Sequence, residues 1–142
     1  METNVYEKIV FEEKREEFEK FRSLLLEYNE KYNLTSITEE KDIYYKHFLD
    51  SVIGERFFKE GARVCEIGSG AGFPSIPLKI LRPDLKLDLF ESVGKSALFC
   101  RRLWITFNSK MCIFITFALK RGQRAWILEK SMITQRRARW RE

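Results

Sequence analysis

The sequence predicts an α/β fold, with N-terminal helices followed by the first half of a Rossmann-like domain of parallel strands. Three observations carry this prediction. The apolar run "ARVCEIG" leads directly into a glycine-rich turn, a helical pattern follows the turn, and a second strand pattern then ends in an acidic residue. This order of strand, glycine turn, helix and strand is typical of the opening of a doubly wound nucleotide-binding fold.

The first half of the chain has the pattern of two amphipathic helices. In the first thirty or so residues, apolar side chains recur at steps of three, four and seven, at Phe11, Phe18, Phe21, Leu25, Tyr28 and Tyr32. The polar segment "KYNLTSIT" ends this helix. A second helix is predicted from about residue 39 to about 52, with an apolar side formed by Ile43, Tyr44, His47, Phe48 and Val52.

The strands and helices of the second part follow in order. Residues 63 to 67 have the consecutive apolar character of a buried parallel strand, so we expect Cys65 to be buried. Helical spacing extends from about residue 73 to 81, and "LKLDLFE" alternates as the second strand. A further helix is predicted to begin near Gly94.

The glycine turn indicates a ligand that lies against the backbone. Gly68, Gly70 and Gly72 lack the side chains that would obstruct such a ligand. Phe73 stands where a dinucleotide fingerprint has its third glycine, which argues against NAD and FAD, and no P-loop motif follows. Glu91 comes 23 residues after Gly68, close to the separation of about 20 at which a carboxylate reaches a ribose diol. We therefore predict a nucleoside-containing ligand; the alternative is a turn that binds nothing.

Two other polar residues accompany these elements. Glu66, at the end of the first strand, is either a solvated carboxylate or a contact for an amino-bearing ligand such as the methionine part of S-adenosylmethionine. His47 is the only histidine and lies on the apolar side of its helix, where a hydrogen-bonded packing role is more common than that of a base.

Several of these residues together resemble a known family. "NLT" at 33 to 35, the spacing of His47, Asp50 and Ser51, and "GAGFP" at 70 to 74 resemble the bacterial 16S ribosomal RNA guanine-N7 methyltransferases, also called the glucose-inhibited division protein B family. The similarity extends from about residue 15 to 99. It implies a class I methyltransferase fold, S-adenosyl-L-methionine as cofactor, and 16S rRNA of the small ribosomal subunit as partner.

The resemblance also implies roles for individual residues. Gly68 and Phe73 would contact the cofactor, Gly70 and Gly72 would shape the turn, and Glu91 would bind the ribose. His47, Asp50 and Ser51 would lie at the rim where the substrate enters. Because guanine N7 carries a lone pair and no proton, methyl transfer needs placement and electrostatics, and we expect no catalytic acid or base.

Composition limits the possible cellular location and the possible partners of the chain. No stretch approaches the roughly 18 consecutive apolar residues of a membrane span, and the charged N-terminus does not resemble a signal peptide. We expect a cytoplasmic monomer without a membrane partner. The cysteines, Cys65, Cys100 and Cys112, show no CxxC spacing and no even count, so we expect neither disulfides nor a metal site.

The last third differs from the rest of the chain. The net charge is +5, but residues 100 to 142 hold eleven of the 26 Lys and Arg, only two of the 21 Asp and Glu, and all three Trp. The resemblance implies a further helix and strands after Phe99, with "RAE" and "TARA" segments, and none is evident there. Codons compatible with this segment, read one base earlier, encode "RAEE" and "ATARAVA" in the family's order. We therefore predict that residues 100 to 142 form an out-of-frame, non-native tail.

These observations give three regions: a helical part at 1 to 58, the start of a Rossmann-like methyltransferase domain at 59 to 99, and the tail at 100 to 142. A sheet truncated in this way is expected to leave the strand at 63 to 67 with an open edge, and the chain with little or no activity. An alternative is a non-catalytic fragment that binds RNA through the basic, Trp-containing tail. A nucleotide-dependent oxidoreductase is a third possibility that rests on the glycine turn alone.

Overall fold

The computed structural model describes residues 3 to 107, 111 to 119 and 123 to 129. These residues form an α/β fold, which confirms the α/β part of the predicted fold class. Their order is helices first and then strands alternating with helices: α1 Thr3–Lys8, α2 Arg15–Tyr32, α3 Glu40–Asp42, α4 Asp50–Ile53, β1 Arg63–Ile67, α5 Ser75–Leu81, β2 Lys86–Glu91, α6 Gly94–Thr106, β3 Met111–Leu119 and β4 Gln123–Glu129.

The N-terminal part contains the two predicted helical runs. α1 passes into a π-helical stretch at Ile9–Glu13 before α2 begins, and a second π-helical stretch at Ile43–Leu49 joins α3 to α4. A 3₁₀ turn at Gly54–Phe57 follows. The second run matches the predicted helix, at about 39 to 52, over residues 40 to 53, and the 3₁₀ turn extends it to residue 57.

The polar segment after α2 closes that helix through Asn33. This residue adopts the left-handed conformation, with φ of 47°, and its N–H bonds to the carbonyl oxygen of Asn29 at 2.9 Å. Asparagine tolerates this conformation better than most residues and often ends helices in this way. The side chain of Asn29 accepts a second N–H, from Thr35, at 2.8 Å. The "NLT" motif thus begins as a helix cap.

Aromatic side chains join the helical part to the strand-containing part. The ring of Phe21 in α2 lies 5.3 Å from that of Phe48, 5.1 Å from that of Phe73 beside the glycine turn, and 6.2 Å from that of Phe99 in α6. Phe21, Phe48 and Phe99 are fully buried. The helices and the sheet therefore share one hydrophobic core.

The sheet has the strand order β1-β2-β3-β4. β1 pairs in parallel with β2, β2 pairs in parallel with β3, and β4 runs antiparallel to β3. Leu87 and Leu89 of β2 are buried. Among the described strands, β1 has a neighbour on one side only, β2.

The prediction that Cys65 is buried is wrong. Arg63, Cys65 and Ile67 all project to one face of β1, and all three are exposed, with 85% of Ile67 accessible. β1 lies at the edge, and this face of the strand lacks a cover among the described residues. The apolar character of the run correctly predicts a parallel strand, but not which of its faces is covered.

α6 crosses the predicted boundary at residue 99. It ends at Thr106, and Cys100 and Leu103 are as fully buried as Phe99. The helix thus contributes core residues on both sides of the boundary, and β3 then pairs with β2. The out-of-frame origin of residues 100 to 142 concerns the coding DNA and stays a prediction.

Candidate functional site

The glycine turn joins β1 to α5 and combines open space with tight packing. Gly68, Gly70 and Gly72 have φ of 77°, 52° and 84°, in the region that favours glycine. A Cβ atom on Gly72 would lie 2.7 Å from Cγ1 of Ile76, so this glycine permits close approach of the turn to α5. A Cβ atom on Gly68 would meet nothing within 4 Å. The turn is therefore packed at its end and open at its beginning.

The backbone N–H groups of the three glycines bond inside the protein. Gly68 donates to the carbonyl oxygen of Phe90, Gly70 to the carboxylate of Glu91, and Gly72 to the carbonyl oxygen of Ser69, each at 2.7 Å. Because these N–H groups already have partners, the glycines offer a ligand space for close approach to the backbone.

Glu91 holds the turn in place. Its side chain is 4% exposed, and its two carboxylate oxygens accept the N–H groups of Gly70 and Val93, each at 2.7 Å. The end of β2 is thereby tied to the turn after β1 and to the start of α6. Each carboxylate oxygen retains a further lone pair, so this arrangement is compatible with the predicted contact to a ribose hydroxyl. The sequence contains no signal for the two backbone contacts.

Glu66 presents a buried acceptor without a donor. Its Oε2 atom has no hydrogen-bond partner among the described residues. Burial raises the pKa of Glu66 to about 7, the Ser75 side-chain and backbone donors lower it in part, and the nearby charge of Glu91 raises it. An acceptor left unpaired in a buried position is costly unless a ligand supplies the donor. The site therefore suits an amino group or another cationic donor.

His47 and Phe73 form a stacked pair, with ring centroids 4.3 Å apart and planes 12° from parallel. The Phe73 ring also stacks on Phe21, so it faces the N-terminal helices. His47 Nε2 lies 3.0 Å from the hydroxyl of Thr35, and burial lowers the pKa of His47. The structure thus gives His47 the hydrogen-bonded packing position that its place on the helix indicates, and the "NLT" motif supplies its partner.

A cavity of about 410 Å³ lies between the N-terminal helices and the glycine turn. It brings together the three residues placed at the substrate rim, His47, Asp50 and Ser51. The Ser51 hydroxyl donates to the carbonyl oxygen of His47 at 2.5 Å. Three aromatic side chains belong to the remaining wall, namely Phe57, Phe58 and Phe73. A cavity of this size is in the range of small-ligand sites.

The basic tail extends to the C-terminal end of the chain. Residues 130 to 142 lie outside the described part, so RNA binding through this tail stays a prediction. Trp104 is half-buried and packs on the core. Its indole nitrogen is buried without a partner among the described residues.

Metal sites and membrane-spanning helices are both absent among the described residues. No group of three or more His, Cys, Asp or Glu side chains there is placed to hold a metal ion. Within the same residues, every helix is too short or too polar to cross a membrane.

Comparison with known proteins identifies the class of protein. A family model described as rRNA small subunit methyltransferase G matches residues 14–125. The ribosomal RNA small subunit methyltransferase G of Lactobacillus helveticus is 44% identical over 108 residues, which cover 72% of this chain and 45% of the relative. Its counterpart in Staphylococcus epidermidis is 47% identical over 91 residues, which cover 63% of this chain and 38% of the relative.

These similarities define the class of protein by family, since the family model and the relatives are named as rRNA methyltransferases. More particularly, the chain belongs to the rRNA small subunit methyltransferase G family. The match begins near the start of α2 and extends beyond the predicted boundary at residue 99. The chain spans less than half the length of the curated relatives it matches.

Proposed function

We propose that this chain carries the cofactor site of an enzyme that transfers a methyl group from S-adenosyl-L-methionine to N7 of a guanine in 16S rRNA. The observation that carries the proposal is the unpaired Oε2 atom of Glu66, buried beside a glycine turn that is open at Gly68. Membership of the methyltransferase family supports the same assignment.

The residues present fit this cofactor. Glu66 would accept a hydrogen bond from the amino group of its methionine part, and the open side of Gly68 and Gly70 would admit it close to the backbone. Glu91 would meet a ribose hydroxyl with its remaining lone pairs. When bound, S-adenosylmethionine supplies an electrophilic methyl group on a sulfonium sulfur.

The protein side chains then have to position the acceptor. Guanine N7 offers a lone pair and has no proton to lose, so correct alignment accounts for most of the chemistry. His47 is not needed as a base: its Nε2 lies at hydrogen-bond distance from Thr35, and its ring packs on Phe73. The residue instead connects the substrate cavity with the glycine turn.

Cofactor binding tests the proposal with a matched pair of variants. Gly70→Ala and Gly70→Trp both place a side chain at a φ of 52°, but only tryptophan fills the open space beside the turn. We expect the wild-type chain and Gly70→Ala to bind S-adenosylhomocysteine in calorimetry, and Gly70→Trp to lose binding. Absence of binding by the folded wild-type chain, or equal binding by both variants, would overturn the proposal.

A further inference from the structure

We propose that Thr35 is a positioning residue for the glycine turn, because its hydroxyl group orients His47 and the His47 ring holds that of Phe73. The inference rests on the proposed function, since it gives a residue of the "NLT" motif a role in cofactor binding. It starts from the contacts that lead from the end of α2 through Thr35 and His47 to Phe73.

The end of α2 fixes the position of Thr35. The backbone N–H of Thr35 donates to Oδ1 of Asn29 at 2.8 Å, and Asn29 is a buried residue of α2. The Thr35 hydroxyl oxygen accepts the N–H of Ile37 at 3.1 Å, a local contact that is typical of threonine in turns. Both the backbone and the side chain of Thr35 are therefore held by contacts that do not involve His47.

The Thr35 hydroxyl group selects one of the two neutral forms of His47. A hydroxyl group has one proton to donate and two lone pairs, and the N–H of Ile37 occupies one lone pair. Among the described residues, its remaining partner is Nε2 of His47, at 3.0 Å. Donation by the hydroxyl group makes Nε2 the acceptor and leaves the ring proton on Nδ1. Burial lowers the pKa of His47 against the opposing charge of Asp50, which favours this neutral form.

The orientation of His47 restrains the ring of Phe73. The centroids of the two rings are 4.3 Å apart and their planes are 12° from parallel, so a rotation of one ring disturbs the other. The rotamer preference of histidine restrains the ring plane only weakly, and the hydrogen bond at Nε2 adds the missing restraint. Phe21 also stacks on Phe73, at 5.1 Å, but by packing alone. The directional restraint on Phe73 therefore comes from Thr35 through His47.

Phe73 directly follows the glycine turn, which is thereby held from two sides. Glu91 accepts the N–H of Gly70 at 2.7 Å and holds the turn from the sheet. His47 holds it from the N-terminal helices, through Phe73. Binding sites tolerate displacements of only about 0.5 Å. Loss of the Thr35 hydroxyl group would release the second support and weaken contacts between a ligand and the turn.

The wild-type chain provides the first test, without any ligand. His47 is the only histidine of the sequence, so the nitrogen signals of its ring in an NMR spectrum are unambiguous. We expect their chemical shifts to show the proton on Nδ1 and an acceptor at Nε2. A proton on Nε2 would overturn the proposal, because the Thr35 hydroxyl group would then not be the donor.

Variants at the two ends of the hydrogen bond provide the second test. Thr35→Val removes the hydroxyl group, and His47→Phe keeps a ring for stacking while the contact of Thr35 with Ile37 stays intact. In both variants we expect displaced backbone amide signals of the glycine turn. We also expect about fivefold weaker binding of S-adenosylhomocysteine, on the order of one lost hydrogen bond. Thr35→Ser should restore wild-type behaviour, and Ser36→Ala, which removes an exposed neighbouring hydroxyl group, is the control.

The outcomes separate this role from the proposed function. If the folded wild-type chain does not bind S-adenosylhomocysteine, the proposed function fails, and the amide signals of the turn still decide whether Thr35 positions it. If Thr35→Val and His47→Phe leave these signals unchanged, or bind the ligand as tightly as the wild type, the positioning role is wrong and the cofactor site stands. Should Thr35→Val unfold, His47→Phe and the wild-type nitrogen shifts decide the question.

Discussion

The carboxylate of Glu91 accepts the backbone N–H of Gly70 at 2.7 Å, and this contact joins the end of β2 to the glycine turn. The second oxygen of the same carboxylate accepts the N–H of Val93 at the start of α6. One buried side chain therefore fixes three segments that converge at the candidate cofactor site. The residue that the spacing of the sequence assigns to a ribose also builds the turn on which that ligand would lie.

Glu91→Gln is expected to destabilise the fold. The amide oxygen would keep one of the two N–H donors, but the amide nitrogen would face the other and leave it unpaired. Loss of a hydrogen bond to a buried charged acceptor costs roughly 1–3 kcal/mol. Thermal unfolding would measure the change, with Glu60→Gln on the exposed loop before β1 as the control. A Glu91→Gln variant as stable as the control would show that the two contacts contribute little.

Gly72→Ala is expected to destabilise the fold for a different reason. The new Cβ would lie 2.7 Å from Ile76 and 3.3 Å from Leu103, at a φ of 84° that alanine rarely adopts. Overpacking and strain of this kind cost about 1–3 kcal/mol. Gly94→Ala is the matched control, since its Cβ would meet nothing within 4 Å. Equal midpoints of denaturant unfolding for the two variants would contradict this description of the turn.

Glu66 is expected to make the fold less stable as the pH rises. Its pKa is about 7 in the folded chain against an ordinary value of 4.5. Between these values the folded state keeps a proton that the unfolded state releases, so the free energy of unfolding falls from about pH 4.5 to about pH 7 and levels off above. Comparison with Glu66→Gln isolates this contribution from that of His47. The lowered pKa of His47 has the opposite effect, because it makes the free energy of unfolding rise with pH below pH 6.5.

The difference in stability between wild type and Glu66→Gln should therefore change steadily across that range. As the pH increases, the variant should become more stable relative to the wild type. Melting temperatures recorded from pH 4.5 to 8 would measure it. A difference independent of pH would mean that the carboxylate is not desolvated.

The coding DNA is expected to contain a shift of one base near the codon for Cys100. Restoring the frame should yield "RAEE" and "ATARAVA" in succession, as the shifted codons allow. Sequencing the DNA across residues 98 to 102, and onward past the codon for Glu142, would measure this directly. Confirmation of the present frame would overturn the prediction and make the buried positions of Cys100 and Leu103 a native feature of α6.

The sequence predicts the helices and strands better than the exposure and the long-range contacts of their residues. Periodicity locates both helical runs, the strands β1 and β2 and the start of α6, because each depends on local pattern. His47, Asp50 and Ser51 line one cavity, since residues three and four apart share a helix face. Their place at the rim where the substrate enters stays a prediction. The exposure of Cys65 and the two contacts of Glu91 depend on which segments lie beside them in space. No local pattern encodes that information.

The most direct test of the cofactor site is the affinity for S-adenosylhomocysteine as a function of pH, measured by calorimetry. If the ionised Glu66 accepts the amino group of the ligand, binding by the wild-type chain should strengthen as the pH rises from 6 to 8. Glu66→Gln should bind about tenfold more weakly, as expected for loss of a charge-assisted hydrogen bond, and should show no such trend. Glu60→Gln should match the wild type. Equal affinity and the same pH profile in Glu66→Gln would contradict the central claim that Glu66 binds the ligand.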